Sequence, residues 1–155
     1  MQARIDAQKV PPAANQAMFG LEAFLRKQSK LEPALLQLIK VRASQINGCA
    51  YCIDMHSKDA RAGGETEQRI YALSAWEETP FFTDRERAAL AMTEAITLIR
   101  EGHVPDALYE RAKTSFSEEE LVGLTMAIIT INGWNRLAIT FRFVPGEYQP
   151  AKNKN

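Results

Sequence analysis

Few of the side chains that announce a chemistry are present in this chain of 155 residues, which has only two cysteines and two histidines. No disulfide framework can be built from so little. Neither sign of charge is in excess, with Lys plus Arg and Asp plus Glu at 19 each, so no net field draws the protein to nucleic acid or to a phospholipid surface. Nowhere is there the run of about eighteen apolar residues that a membrane-spanning helix needs. The N-terminal stretch from Met1 to Lys9 likewise lacks the unbroken hydrophobic segment of a signal peptide. The expectation is a soluble, cytoplasmic protein with no nucleic-acid or membrane partner. In that reducing compartment two cysteines three residues apart suit catalysis or metal better than a structural staple. Low-complexity blocks and repeats of solenoid period are missing too.

Apolar residues, by contrast, make up 46% of the chain, enough for the core of one domain over residues 1–155. Their spacing is helical, and strand-like alternation is scarce. Met18, Leu21, Phe24 and Leu25 share a face of a helix over 14–29. Glu32-Pro33 starts a second helix that Asn47-Gly48 stops, so the cysteines open a third, broken at Gly63-Gly64. A further helix runs from Thr66 to about Trp76. Thr83-Asp84-Arg85-Glu86 and Ser117-Glu118-Glu119-Glu120 have the form of capping boxes, each ahead of a long apolar helix, over 88–100 and from 121 to about 143. A shorter helix lies between them, over 105–114. The fold expected is all-α with about seven helices. Beyond it, residues 144–155 form a proline-interrupted tail, extended or mobile unless a neighbouring chain covers it.

The chemistry concentrates in Gly48-Cys49-Ala50-Tyr51-Cys52-Ile53-Asp54-Met55-His56. Positions i, i+3 and i+7 of a helix share a face, so both sulfurs and an imidazole fall within two turns. A thiolate, not a thiol, is the nucleophile, and three features favour it here. The first turn of a helix offers unpaired N–H groups and the positive end of the dipole. His56 can take a proton from Cys52 or hydrogen-bond its sulfur. The spacing lets the second sulfur close a disulfide after oxidation. One thiolate could attack the O–O bond of a hydroperoxide and become a sulfenic acid, its neighbour then condensing with it. A thioredoxin-like site needs a βαβ context that this pattern lacks. Zinc would find only His103 beyond Cys49, Cys52 and His56, and two buried cysteines acting as small hydrophobes remain a further reading.

The run from Leu38 through Arg42-Ala43-Ser44-Gln45-Ile46-Asn47-Gly48-Cys49 to His56 resembles the core signature of the AhpD-like branch of the carboxymuconolactone decarboxylase superfamily. That signature is C-x-x-C-x-x-x-H after an R-x-S-x-x-N-x-C lead. Thr130-Ile131-Asn132-Gly133-Trp134-Asn135-Arg136 is similar to the matching helix of its peroxidase-related subgroup. The resemblance implies an all-helical alkylhydroperoxidase that needs no cofactor beyond its thiols. It implies a homo-oligomer, either a trimer or a hexamer built as a trimer of dimers. Cys52 matches the peroxide-attacking cysteine, Cys49 the resolving one and His56 the relay histidine. A lipoyl protein, a thioredoxin-like protein or a small thiol would be the reductant. A redox sensor or scaffold using the same disulfide is the alternative, and a lactone decarboxylase-like acid–base enzyme a third.

One position departs from the pattern: the family's relay glutamate, twelve residues before the first cysteine, is Gln37 here. An amide cannot accept the proton. Glu94 is the substitute considered, because Leu90 and Leu98 flank it on an apolar stripe where a carboxylate needs a partner. It either reaches the dithiol pocket as a relay base or pairs with an arginine such as Arg42. Trp134, Asn135 and Arg136 read as subunit-interface anchors in preference to pocket residues. His103 reads as a loop residue or a helix cap, and Met18, Met92 and Met126 as filler of the core or of an interface.

Overall fold

The computed structural model describes residues 2–6, 9 and 11–151; the last four residues of the expected tail, and Met1, Ala7 and Gln8 of the N-terminal stretch, lie outside them. Seven α-helices carry the chain: α1 Pro12–Gln28, α2 Pro33–Asn47, α3 Ala50–Ala62, α4 Glu67–Ala72, α5 Asp84–Thr97, α6 Asp106–Lys113 and α7 Glu118–Phe141. No strand occurs among the described residues, and the fold is all-α as the periodicity predicts.

Local chemistry sets the boundaries. Pro12 and Pro33 begin α1 and α2, where a missing N–H leaves no hydrogen bond unmade. Both capping boxes form, Thr83 with Glu86 and Ser117 with Glu120. Gly48 ends α2 in the left-handed region at φ 69°, and its N–H and that of Cys49 close onto Gln45 and Ser44. Cys49 is therefore the N-cap of α3 rather than a residue of its first turn, and Cys52 is the third helical residue.

Two helices stop earlier than their patterns suggest. α4 ends at Ala72 and tightens into a 3₁₀ segment, Leu73–Glu78, kinked at Ala75. The kink turns Trp76 inward, where it is buried and its indole N–H donates to Glu94. α5 ends at Thr97, and a 3₁₀ turn, Ile99–Glu101, follows. Leu98 and Ile99 are exposed there, so packing rewards no further α-helical turn.

α2 lies at the centre, packed on α3, α5 and α7, with Leu38, Ile39, Val41 and Ala43 almost wholly buried. α7 supplies the facing wall through Leu124, Ala127, Ile128 and Ile131. It also crosses the end of α1 so closely that a Cβ at Gly123 would sit 2.5 Å from the Ser29 carbonyl oxygen. Met92 is buried in this core, and Met126 packs against it half-buried.

The tail from 144 to 151 has no regular structure and lies on α3 of its own chain. Gly146 N–H donates to Asp54, Lys58 Nζ donates to the Gly146 and Tyr148 carbonyls, and Tyr148 O–H donates to Asp59. Arg4 similarly ties the N-terminus to the last turn of α7. No described helix is long and apolar enough to cross a membrane.

Candidate active site

The stop at Gly48 and the immediate start of α3 bring the two free thiols together, each with 1% of its surface exposed. Cys49 Sγ accepts a hydrogen bond from the Cys52 thiol, and the N–H groups of Cys52 and Tyr51 also favour its charge. Against the opposing cost of burial these bring its pKa down to about 7. Cys52, as the donor, is pushed up by that hydrogen bond and by burial. The two thiols thus share a proton, and the pair as a whole gives up its first proton more readily than an isolated thiol does.

Asn135 is the third member of this centre. It is wholly buried on α7, and its side chain favours the charged form of both sulfurs. Asn47 Nδ2 donates to Asn135 Oδ1 at 2.9 Å, while Asn135 Nδ2 donates to Ser44 Oγ at 3.0 Å. Those two bonds fix the amide so that its nitrogen is the group left for sulfur. Asn47 also donates to Asn132, which Arg136 closes over from the surface. The interface reading of Asn135 is therefore corrected: it belongs to the dithiol. Trp134 is half-buried against Phe19 and walls the neighbouring cavity. His103 is an exposed loop residue whose N–H donates to the Ile99 carbonyl.

Beside the thiols lies a cavity of about 680 Å³. Cys52 lines it and Cys49 does not. Most of its wall is apolar, with Phe19, Leu36, Tyr51, Met55, Trp134 and Phe143 prominent. Its polar groups are Gln37, Lys40 paired with Glu22 at 2.7 Å, His56, Asp59 and Tyr148, and Arg26 contributes from α1.

His56 is buried on α3, one turn after Cys52. Its Nδ1 faces Gln37 Oε1 at 3.1 Å, with Asp59 Oδ2 at 4.0 Å. An amide oxygen and a carboxylate both call for a donor, so the hydrogen sits on Nδ1 and Nε2 keeps its lone pair. Nε2 has no hydrogen-bond partner. Burial first, and then the charge of Lys40, hold the imidazole neutral with a pKa of about 3.

Glu94 is not brought to this cavity. Its Oε1 accepts from Arg42 Nε at 2.8 Å and Trp76 Nε1 at 2.6 Å, on the far side of α2. The relay role is thus overturned in favour of the arginine pairing, because the kinked 3₁₀ segment delivers an indole donor that completes Glu94's shell. Asp59 and Tyr148 at the cavity wall escaped the sequence reading. Asp59 carried a signal in its i+3 spacing from His56, whereas nothing local links Tyr148 to the site.

Comparison with known proteins agrees with this architecture. The carboxymuconolactone decarboxylase family profile matches residues 12–95. The uncharacterized protein YdfG of Bacillus subtilis is 47% identical over 139 residues, covering 90% of this chain and 94% of that one. The solved structure of ATU0492 from Agrobacterium tumefaciens, a protein of unknown function described as a candidate antioxidant-defence protein AhpD, superposes with a TM-score of 0.88. It is 43% identical and covers 97% of this chain and 99% of that one. The debrominase Bmp8 shares the fold alone, with a TM-score of 0.75 at 20% identity over 88% of this chain and 73% of its own. The chain belongs to the carboxymuconolactone decarboxylase family, in its AhpD-like branch.

Proposed function

We propose that this protein is a dithiol peroxidase that reduces organic hydroperoxides. The observation that carries the reading is that Cys52 opens onto an apolar cavity while sharing a proton with Cys49 behind it. Passing that proton to Cys49, or across the cavity to His56 Nε2, whose lone pair has no hydrogen-bond partner, puts the charge on the sulfur that substrate can reach. Cys52 thiolate then attacks the distal peroxide oxygen, an S–O bond forms, the O–O bond breaks, and the alkoxide leaves as alcohol on taking a proton. Cys52 is oxidised by two electrons to the sulfenic acid. Cys49 thiolate displaces hydroxide from it, giving the Cys49–Cys52 disulfide and water. Two electrons from a lipoyl protein, a thioredoxin-like protein or a small thiol restore the dithiol by exchange.

His56 suits the part of a relay rather than of a resting base, since it is neutral throughout the physiological range. Val122 and Ile129, exposed two turns apart on α7, support the expectation of a homo-oligomer. Reduced protein given cumene hydroperoxide should lose two mass units per chain, one disulfide, for each peroxide consumed. Cys52→Ser should abolish consumption, and unchanged consumption in that variant refutes the proposal. The neutral Gln37 beside His56 also supports a slower use of the same disulfide as a redox sensor. Oxidation far slower than peroxide turnover requires, together with a redox-dependent change of oligomer size, would select that reading.

A further inference from the structure

The relay histidine has a carboxylate neighbour after all, and the C-terminal tail holds it there. Asp59 lies at i+3 from His56, with Oδ2 4.0 Å from Nδ1, and Tyr148 O–H donates to the other oxygen, Oδ1, at 2.7 Å. One carboxylate is thereby held with one oxygen toward the tail and one toward the imidazole. The tail is itself anchored beside the site, by Gly146 N–H on Asp54 and by Lys58 on the Gly146 and Tyr148 carbonyls. His56, Asp59 and Tyr148 all line the same cavity as Cys52.

We propose that Tyr148 and Asp59 form a positioning pair for His56, standing in for the glutamate that Gln37 replaces and making the C-terminal tail part of the active site. The inference rests on the dithiol reading of the cavity. A Cys52 proton carried across the cavity to His56 Nε2, whose lone pair has no hydrogen-bond partner, would make the imidazole a buried cation, which only a close counter-charge makes accessible. Gln37 can accept the Nδ1 hydrogen in both states but brings no charge. Lys40 opposes the cation, and its own partner Glu22 offsets part of that field. The remaining titratable groups around the imidazole are Cys52 on its own helix, Tyr51, Arg26 at the α1 wall, and Tyr148. Asp59 is the carboxylate nearest to Nδ1. Tyr148 keeps it from turning out to solvent.

The test needs no peroxide, so it can fail while the peroxidase reading stands, and the reverse. Alkylation of reduced protein by iodoacetamide, assigned to Cys52 rather than Cys49 by fragmenting the peptide that carries both, is followed against pH in the wild type, Asp59→Asn and Tyr148→Phe. A carboxylate acting through His56 stabilises the imidazolium–thiolate state. Its removal should then slow Cys52 alkylation at pH 7 by about tenfold, the equivalent of one pKa unit. Tyr148→Phe should slow it in the same direction by about threefold, and truncation before Gly146 should match Asp59→Asn or fall between the two. A carboxylate that is only a nearby negative charge disfavours the thiolate, so its removal would speed alkylation. In a His56→Asn background the Asp59→Asn effect should vanish. Faster alkylation in Asp59→Asn, or an effect that persists without His56, overturns the proposal.

Discussion

His56 is the group through which mild acid should act on this fold. Burial in the first place, and the Lys40 charge in the second, keep its pKa near 3 in the folded protein, against 6.5 for an unhindered imidazole. Between those two values the unfolded chain holds a proton that the folded chain refuses, so stability rises with pH across the window. It is fully present above pH 6.5 and drains away as pH falls toward 3. At pH 5 the loss is ~2 kcal/mol, and at pH 7 it is close to zero. Urea unfolding of the reduced protein and of His56→Asn, each at pH 7 and pH 5, isolates this contribution because both chains share every other titrating group. The lowered pKa of Cys49 does not interfere, since its stabilisation appears as pH rises above about 7. The wild type should lose ~2 kcal/mol more than the variant between pH 7 and pH 5. Parallel losses would refute the account. They would mean that imidazolium is tolerated inside the fold, and Asp59, 4.0 Å from Nδ1, would be the group tolerating it.

Glu94→Gln should destabilise by ~1–3 kcal/mol in urea, because a half-buried Arg42 loses its charge partner, while Cys52 alkylation stays as in the wild type. Asn135→Asp places a carboxylate where an amide N–H favours the thiolates, and the pH profile of alkylation should show the reactive thiol pKa raised by about one unit or more. Gly123→Ala gains about 1 kcal/mol of helix propensity but forces α7 away from Ser29, and a net loss of ~2 kcal/mol should lower Tm by about 4–8 °C.

Features that a few adjacent residues settle were legible before any coordinates. Thr83 with Glu86, and Ser117 with Glu120, satisfy each other's backbone groups within one turn, and both boxes form where the pattern places them. Gly48 is legible for the same reason, and it sets the two thiols at the amino end of α3. Residues whose roles depend on which helix lies opposite were not. Asn135 is polar within an apolar helix, which fits an interface as well as a core. Only the packing of α7 on α2 and α3 turns it toward sulfur. Glu94 was misplaced because its partner Trp76 reaches it through a kink that helical periodicity does not encode. Tyr148 meets Asp59 across 89 residues of chain.

Under the proposed peroxidase function, the burial of both sulfurs bears on which oxidants the site would accept. With 1% of each cysteine exposed, the cavity that Cys52 lines is the approach the structure offers an oxidant, and Cys49 lies outside its lining. In the proposed cycle that arrangement would shield Cys49 as the resolving thiol and make the cavity wall the selector. A cumyl group resting against Phe19, Tyr51, Trp134 and Phe143 would take about 100 Å² of its apolar surface out of water, ~2.5 kcal/mol at the usual transfer coefficient. Hydrogen peroxide gains nothing of the kind and must lose hydration to enter. The ratio of kcat/KM for cumene hydroperoxide over hydrogen peroxide should therefore be about fiftyfold or more, since 1.4 kcal/mol corresponds to a factor of ten. Trp134→Ala should shrink that ratio by lowering the cumene hydroperoxide value while leaving the hydrogen peroxide value nearly unchanged. Equal rates for the two peroxides in the wild type would mean that Cys52 is reached by a route other than this cavity.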